Sequence, residues 1–463
     1  MPSMPALVHA VFVVAGWLTY FLVTRIREQR RHPSAAVAWV LGIAALPYLG
    51  VPLFLLFGTR KFVRPSPLRP APRAALADAQ APEWATRLLA GLGVAAPTRN
   101  PVVSFHADGP AALRALIGLL DGAERELAVG TYVLGDDEVG AAAVERLRAA
   151  AARGVRCRLL VDSIGSLRVS RRLLAHAQQG GVEVRRFMPL LHNPLRGRTN
   201  LRNHRKLAVA DGRRVWAGGR NLATEYFLGR AGVAPWRDLS FVVDGPLAAE
   251  ALAQFDHDWA AASGQARGGA IAAPAALAAP ELAAHGALTQ WVACGPDRAE
   301  DTVYALLMAA AYHARERILA VTPYFVPDDA LLDAWCTACR RGVRVQLVLP
   351  ARSNHRLADL ARGRALRRLA EAGAEVRLSP AMLHAKAVVV DDRLGLCGSV
   401  NLDGRSLFLN FEVMTAFYGA AEVAWLADWI EAQARESQAY RSQRPPWQRD
   451  LVESVVRAVG FQL

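Results

Sequence analysis

Residues 204–222 read HRKLAVADGRRVWAGGRNL, and residues 384–402 read HAKAVVVDDRLGLCGSVNL. Both follow one frame: His-x-Lys, four residues, Asp, six residues, then Gly-Gly/Ser-x-Asn. The first copy supplies His204, Lys206, Asp211, Gly218, Gly219 and Asn221. The second supplies His384, Lys386, Asp391, Gly398, Ser399 and Asn401. The flanks repeat in the same order. RGVRCRLLVDSIGS from Arg153 is echoed by RGVRVQLVLPARSN from Arg341, and GVEVRRF from Gly181 by GAEVRLS from Gly373. Two motif copies in register within a longer repeat make the chain a duplication.

Working outward, each half places an Ala/Leu/Arg helical pattern before a β-branched run. GAAAVERLRAAAARG precedes VRCRLLVD, and DDALLDAWCTACRRG precedes VRVQLVLP. That alternation predicts an α/β fold with a parallel or mixed sheet in each half, related by a pseudo-twofold axis. LAVA and AVVV read as buried strands. Residues two apart in an extended segment share a face, so each His and Lys point the same way. Asp211-Gly212 and Asp391-Asp392 read as turns, and the motif aspartates look more structural than chemical. The glycine step that follows suits close approach of backbone to a phosphate.

The N-terminus is different in kind. Pro5 to Thr24 and Ser34 to Gly58 carry no formal charge, and each is long enough to span about 30 Å of hydrocarbon as a helix. Arg25, Arg27, Arg30 and Arg31 lie between them, and Arg60, Lys61, Arg64, Arg69 and Arg73 follow the second. These near-equal basic clusters predict a transmembrane hairpin near anionic headgroups without choosing which face holds the rest. The expected organisation is a hairpin over 1–64 (helices about 5–24 and 34–58) and a Pro/Ala-rich linker over 65–100. The first half follows over 101–260, an Ala/Gly/Pro-rich connector over 261–288, and the second half over 289–463.

Just over half of the 463 residues are apolar, which supports a large core. Lys and Arg outnumber Asp and Glu 55 to 41, a formal net charge of +14 that points to anionic partners: lipid, phosphate substrate or nucleic acid. The five cysteines are scattered and odd in number, which excludes a disulfide framework. Cys336 and Cys339 are spaced like half a zinc site, but no second pair matches them, so they read as core residues, as does Cys397.

The paired motif resembles that of the phospholipase D superfamily, with its duplicated HKD signature. RNHRK, GGRNLATEYF, TPYFVPDDALL, GSVNLDGRSLFLNFEV and HPSAAVAWVLGIAALPYLGVPLFLLFG resemble the bacterial cardiolipin synthases within it, over nearly the whole chain. The resemblance implies a duplicated α/β/α sandwich with one site at the pseudo-twofold axis. It implies catalytic roles for His204, Lys206, Asp211, His384, Lys386 and Asp391, with His204 as nucleophile and His384 as general acid. The motif itself is symmetric and does not make that assignment. The lysines would stabilise the phosphoryl oxygens, with no metal or other cofactor. Asn221, Ser399 and Asn401 are candidate phosphate donors. The resemblance places histidine-orienting carboxylates at Asp238 and Glu412, with Glu225 a competitor in the first half. Tyr226, Tyr324 and Phe325 are candidate walls, whereas His106, His192 and His355 lack such context.

The implied reaction joins two phosphatidylglycerols and releases glycerol, in a bacterial cell (inner) membrane. The expected partners are phosphatidylglycerol, other anionic phospholipids and the membrane, with no nucleic acid. A phospholipase D or transphosphatidylase using water or another alcohol is the alternative, and a nuclease a more remote one. The C-terminal ESVVRAVGFQL departs from the Ser-Pro-Leu ending of many members, and Gly219 stands where serine is common, although Gly-Gly is common there in cardiolipin synthases. Both leave the acceptor open.

Overall fold

Apolar runs without charge form helices whose side chains look outward. The computed structural model describes residues 4–26, 33–58, 80–189, 200–263 and 286–448, with 453 and 456. Helix α1 (Met4–Ile26) is one 23-residue rod, about 35 Å long at 1.5 Å per residue. Among the described residues it is the one helix long and apolar enough to cross a membrane, and only 17% of that stretch is buried. Leu7, Val11, Phe12, Leu18 and Phe21 are exposed, which is wrong for a soluble core and right for lipid. The second expected span, 34–58, is not a single helix. It is α2 (Pro33–Ala45) and α3 (Pro47–Phe57), broken at Leu46, whose φ of −139° and ψ of 69° leave the helical region. Pro47 has no N–H and excludes helical backbone from the residue before it. Each piece is too short to span alone, so the expected two-helix hairpin is replaced by one long helix and a broken pair. The pair packs on α1 through Tyr20, Ile43 and Phe54, and Trp17 donates to the Val40 carbonyl at 3.0 Å.

The linker expected over 65–100 is ordered at its C-terminal end, while 65–79 lies outside the described residues. Helix α4 (Glu83–Gly91) buries Ala85 and Leu89. Strand β1 (Thr98–Asn100) pairs antiparallel with a strand of the second half. Residues 80–100 thus pack on the distant half, a contact for which the local sequence carries no signal.

The first half builds a seven-stranded sheet: β2 (Val102–His106), β3 (Glu126–Thr131), β4 (Arg156–Asp162), β5 (Glu183–Phe187), β6 (Leu207–Ala210), β7 (Arg214–Gly218) and β8 (Ser240–Asp244), in the order 2-8-7-6-3-4-5. Its helices are α5 (Gly109–Asp121), α6 (Glu138–Ala152), α7 (Arg171–Gln179) and α8 (Pro246–Ala262). The second half has β9 (Ala287–Cys294), β10 (Arg317–Val321), β11 (Phe325–Val326), β12 (Arg344–Pro350), β13 (Glu375–Ser379), β14 (Ala387–Val390), β15 (Leu394–Gly398), β16 (Leu402–Asp403), β17 (Glu412–Phe417) and β18 (Gln438–Ala439). Its helices are α9 (Thr302–His313), α10 (Asp329–Arg340), α11 (Arg356–Ala361), α12 (Gly363–Glu371), α13 (Gly404–Phe408) and α14 (Ala420–Arg435). Its large sheet runs 1-9-17-15-14-10-12-13-18. The internal order 9-17-15-14-10-12-13 repeats 2-8-7-6-3-4-5 strand for strand, so the duplication read in sequence is a duplication of topology.

Strand periodicity explains the layering. In β3, Leu127 and Val129 face a cluster with α5 and α6, while Ala128 faces a cluster that contains Trp291, Val389 and Phe417 of the other half. The two sheets therefore share a core, with Phe255 and Trp259 of α8 and Leu426 and Ile430 of α14 packed into it. On the far side of the second sheet, α4, α9, α10 and α12 close another core. Strands covered on both faces read as continuous apolar runs, as LAVA and AVVV do.

Candidate functional site

The site is made by two parallel bridges across the halves. Asn203, just before His204, pairs with Phe411, just before Glu412; Leu383, just before His384, pairs with Arg237, just before Asp238. The His204 N–H donates to the Phe411 carbonyl at 2.9 Å, and the Phe411 N–H donates to the Arg202 carbonyl at 2.9 Å. The other side repeats this: His384 N–H to Arg237 carbonyl at 2.7 Å, and Arg237 N–H to Met382 carbonyl at 2.9 Å. Backbone pairing thus brings each histidine to the carboxylate of the opposite half. His204 Nδ1 lies 2.8 Å from Glu412 Oε1, and His384 Nδ1 lies 2.7 Å from Asp238 Oδ2. Glu225, the competitor, lies elsewhere and pairs with Arg230 at 3.2 Å.

All four side chains are buried. Burial drives the His204 imidazole down to about 4, against the pull of Glu412. Burial, reinforced by the Lys386 ammonium, drives His384 to about 3. Burial alone would raise the carboxyls, but their histidines outweigh it, so Asp238 and Glu412 stay below the usual carboxylate range. A neutral imidazole whose Nδ1–H donates to a carboxylate leaves Nε2 bare and facing away from that carboxylate. Lys206 Nζ donates to the His204 carbonyl at 2.6 Å, and burial takes it well below the usual lysine range. Lys386 Nζ lies 2.9 Å from His384 Nδ1 and bonds the His384 carbonyl; burial brings it to about 8.

The motif aspartates are not in this cluster. Asp211 and Asp391 sit beyond the far ends of β6 and β14, at φ of 55° and 49°. Asp211 accepts backbone N–H groups of Glu124, Arg125 and Glu126 at 3.0, 2.7 and 2.9 Å. Asp391 does the same for Arg315, Glu316 and Arg317. Each holds a turn against a strand entry, away from the histidines with which it was grouped.

The phosphate donors expected at Asn221, Ser399 and Asn401 are partly committed elsewhere. Asn221 Oδ1 accepts the Val133 N–H at 3.2 Å. Ser399 donates to Glu412 Oε2 at 2.5 Å rather than outward. Asn401 Nδ2 donates to Ser406 at 3.1 Å, while its Oδ1, buried, has no hydrogen-bond partner. The glycine step is explained by neighbouring chain. A Cβ at Gly218 or Gly398 would strike the Leu239 or Val413 carbonyl, and one at Gly219 would strike the Asp238 carboxylate.

Aromatic walls flank both histidines. The Tyr132 ring meets His204 edge-on at 4.8 Å, and Tyr226 and Trp236 lie 5.0 and 5.6 Å from His384. Of the expected walls, Tyr226 is in contact. Tyr324 donates to Asn354 at 2.6 Å, and Phe325 packs on Trp335 in the core. His106 bonds Ser104 at 3.3 Å, His355 caps α11, and His192 is outside the described residues. Cys336 and Cys339 lie in α10 as free thiols.

Sequence reading missed Arg205 and Arg220. Arg205, between His204 and Lys206, faces the opposite way. It binds Asp258 at 2.5 Å, the carbonyls of Cys294 and Glu412 at 3.0 Å, and Asp297 at 3.4 Å. His257, Asp258 and Asp297 are close enough to hold a metal ion, but the Arg205 guanidinium already pairs with both carboxylates. Arg220 donates to the carbonyls of His106, Tyr226 and Asp238, fixing the strand that bears Asp238. The signal available was an arginine directly between the motif histidine and lysine, and another between the glycine step and Asn221.

The family described as "Cardiolipin synthase, PLD-like domain" matches residues 116–259 and 307–433, and that described as phospholipase D-nuclease N-terminal matches 13–58. Cardiolipin synthase A of Pseudomonas aeruginosa (strain LESB58) is 32% identical over 426 positions, covering 87% of this chain and 86% of that protein. Cardiolipin synthase A of Klebsiella pneumoniae subsp. pneumoniae is 31% identical over 479 positions, covering 97% of each. In fold, the chain is similar to a phosphatidylserine synthase of Haemophilus influenzae, with a TM-score of 0.64, 16% identity, and coverage of 82% of this chain and 100% of that one.

Proposed function

The chain belongs to the cardiolipin synthase family of phospholipase D-like proteins and is a phosphatidyltransferase, and on that premise we propose that it joins two phosphatidylglycerols into cardiolipin and glycerol through a phosphatidyl-histidine. The observation that carries this is the reciprocal pair His204–Glu412 and His384–Asp238. Each carboxylate fixes its imidazole with Nε2 as the reactive atom. His204 Nε2 attacks phosphorus while the bond to the headgroup glycerol breaks, and His384 gives that oxygen a proton. The glycerol hydroxyl of a second phosphatidylglycerol then returns a proton to His384 and displaces His204. Lys206 and Lys386 balance charge on the non-bridging oxygens.

In the free protein burial keeps both imidazoles neutral. A phosphodiester brings negative charge, which favours a protonated imidazole and arms His384 as acid. Asn221 and Asn401 complete the phosphoryl pocket. Membrane association follows from α1, with α2 and α3 lying beside it in the cell membrane.

The test is full-length protein in phosphatidylglycerol liposomes, with labelled lipid and a His204→Ala control. Cardiolipin and free glycerol, absent in the control, are expected. Phosphatidic acid alone would overturn the synthase reading in favour of a hydrolase.

A further inference from the structure

Resting on that reading of function, we propose that the rim of the catalytic cleft is a docking face for an anionic lipid bilayer, so that the lipids enter from below rather than through water. The rim is built from loops of both halves, and the loops bearing Leu167 and Val233 reach the site. The turn after β4 carries Ile164 and Leu167, both exposed; its Ser166 donates at 2.9 Å to the carbonyl of Tyr132, whose ring lies on His204. The loop between β7 and β8 carries exposed Leu228 and Val233, and its Tyr226 and Trp236 lie on His384. Leu357, exposed in α11, follows Asn354, which accepts from Tyr324.

Apolar side chains at loop tips are costly in water unless something covers them. Beyond the N-terminal helices, few large apolar residues are this exposed: Val102, Tyr312 and Trp447 are the others among the described residues. Five of eight gather at one end of the two sheets, around one site. Charge identifies the cover. Arg168, Arg171, Arg172, Arg352 and Arg356 are exposed in the same loops and the first turns of α7 and α11. Asp136 and Glu138 are the exposed acids beside them, and Asp136 accepts from Ser170 at 3.1 Å. Apolar tips ringed by arginine suit headgroups of negative charge above hydrocarbon.

The test uses full-length protein in proteoliposomes, with Cys339→Ala to remove the one native thiol that is not buried. An environment-sensitive fluorophore is placed singly at Leu167→Cys, Val233→Cys or Leu357→Cys. Glu124→Cys, exposed at the opposite end beside Asp211, is the control. In phosphatidylglycerol vesicles the three rim probes should shift to the blue and be quenched by lipid-borne quenchers, while the control stays open to aqueous iodide. Rim probes as open to iodide as the control would overturn the proposal. So would protection that scales with protein density, which would assign the face to a second copy, or equal protection in vesicles of phosphatidylcholine alone.

Activity separates this from the reading of function. Leu167→Asp with Val233→Asp and Leu357→Asp should lower turnover of bilayer phosphatidylglycerol about tenfold, yet leave turnover of monomeric short-chain phosphatidylglycerol unchanged. Equal loss on both substrates would overturn the docking face. No cardiolipin from either substrate with the parent protein would instead overturn the reading of function.

Discussion

Glu412 of the second half sits 2.8 Å from Nδ1 of His204 in the first, and Asp238 of the first sits 2.7 Å from Nδ1 of His384 in the second. Neither half holds a complete histidine–carboxylate pair, so the catalytic unit exists only when both are folded and docked. The exchange is set by backbone, through the Asn203–Phe411 and Arg237–Leu383 bridges.

Glu412→Gln preserves shape and removes charge. The amide can present its nitrogen to Nδ1 and favour the wrong tautomer, leaving Nε2 protonated. Turnover should fall on the order of 10³- to 10⁴-fold, as expected when an orienting carboxylate is neutralised, with KM little changed. Steady-state kinetics on phosphatidylglycerol check this; a loss below tenfold would remove Glu412 from the role.

The two histidines are separable by leaving group. A donor carrying nitrophenol in place of glycerol needs no general acid. His384→Ala should release one equivalent of nitrophenol in a burst and then stall, with the phosphatidyl group held on His204. His204→Ala should give no burst. The reverse pattern would exchange the roles.

Asp211 is predicted to matter for stability more than for chemistry. It holds three N–H groups from a φ of 55°. Asp211→Ala leaves those donors without their acceptor and places Ala in a strained conformation, costing about 2–4 kcal/mol. Thermal unfolding should fall by several degrees, while turnover per folded molecule stays within a few-fold. Normal stability with lost turnover would restore a chemical role.

This division was half legible in the sequence. The duplication, the sheets and the placement of His204, Lys206, His384 and Lys386 follow from a motif that repeats in register, because strand periodicity fixes which side chains share a face. Asp238 and Glu412 were suggested by resemblance, but their exchange across the halves was not readable, since nothing local to Glu412 names His204. Arg205 was hidden for the same reason: its partners Asp258, Asp297 and the Cys294 carbonyl come from α8 and the second half. The second apolar run reads as one span kinked at Pro47 and Pro52; the prolines announce a bend, but hydropathy does not register that the helix breaks fully at Leu46.

The pH profile of kcat/KM for the nitrophenyl donor, whose departure does not use His384, should be a broad plateau. It reports the free protein, where burial holds His204 near 4 and His384 near 3, so the nucleophile becomes protonated and lost only below about pH 4. On the alkaline side Lys386, brought to about 8 by burial, and Lys206, which burial also lowers, lose their protons and their hold on the phosphoryl oxygens. Asp403, which burial pushes up to about 7, favours protonated Lys386 once ionised. Asp403→Asn should therefore move the alkaline limb down, and Lys386→Arg should move it up. Stability has the opposite-facing edge: both imidazoles are depressed below their unfolded value of about 6.5, so their contribution is complete above that pH and is lost as pH falls towards 3–4. A kcat/KM limb near 6.5 would refute buried neutral histidines.

Gly219 and Ser399 occupy equivalent positions in the two motifs but do opposite things, and exchanging them should cost the two histidines differently. Ser399 donates to Glu412 Oε2 at 2.5 Å and accepts the Val413 N–H at 3.0 Å. It thereby stabilises the carboxylate that orients His204. At Gly219 a Cβ would strike Asp238 Oδ1, whose place on that side is held by the Leu239 N–H at 2.7 Å. Asp238 is buried against His384 and cannot retreat without giving up Nδ1. Gly219→Ser should thus displace the orienting carboxylate of His384 and lower glycerol release at least a hundredfold, while the nitrophenol burst, which does not use His384, persists. Ser399→Gly should leave His384 intact and slow the burst itself by about tenfold, the loss of one hydrogen bond to a charged group. Rapid-quench measurement of both substrates distinguishes the two. Equal effects on burst and glycerol release in Gly219→Ser would mean that the carboxylates do not serve separate histidines.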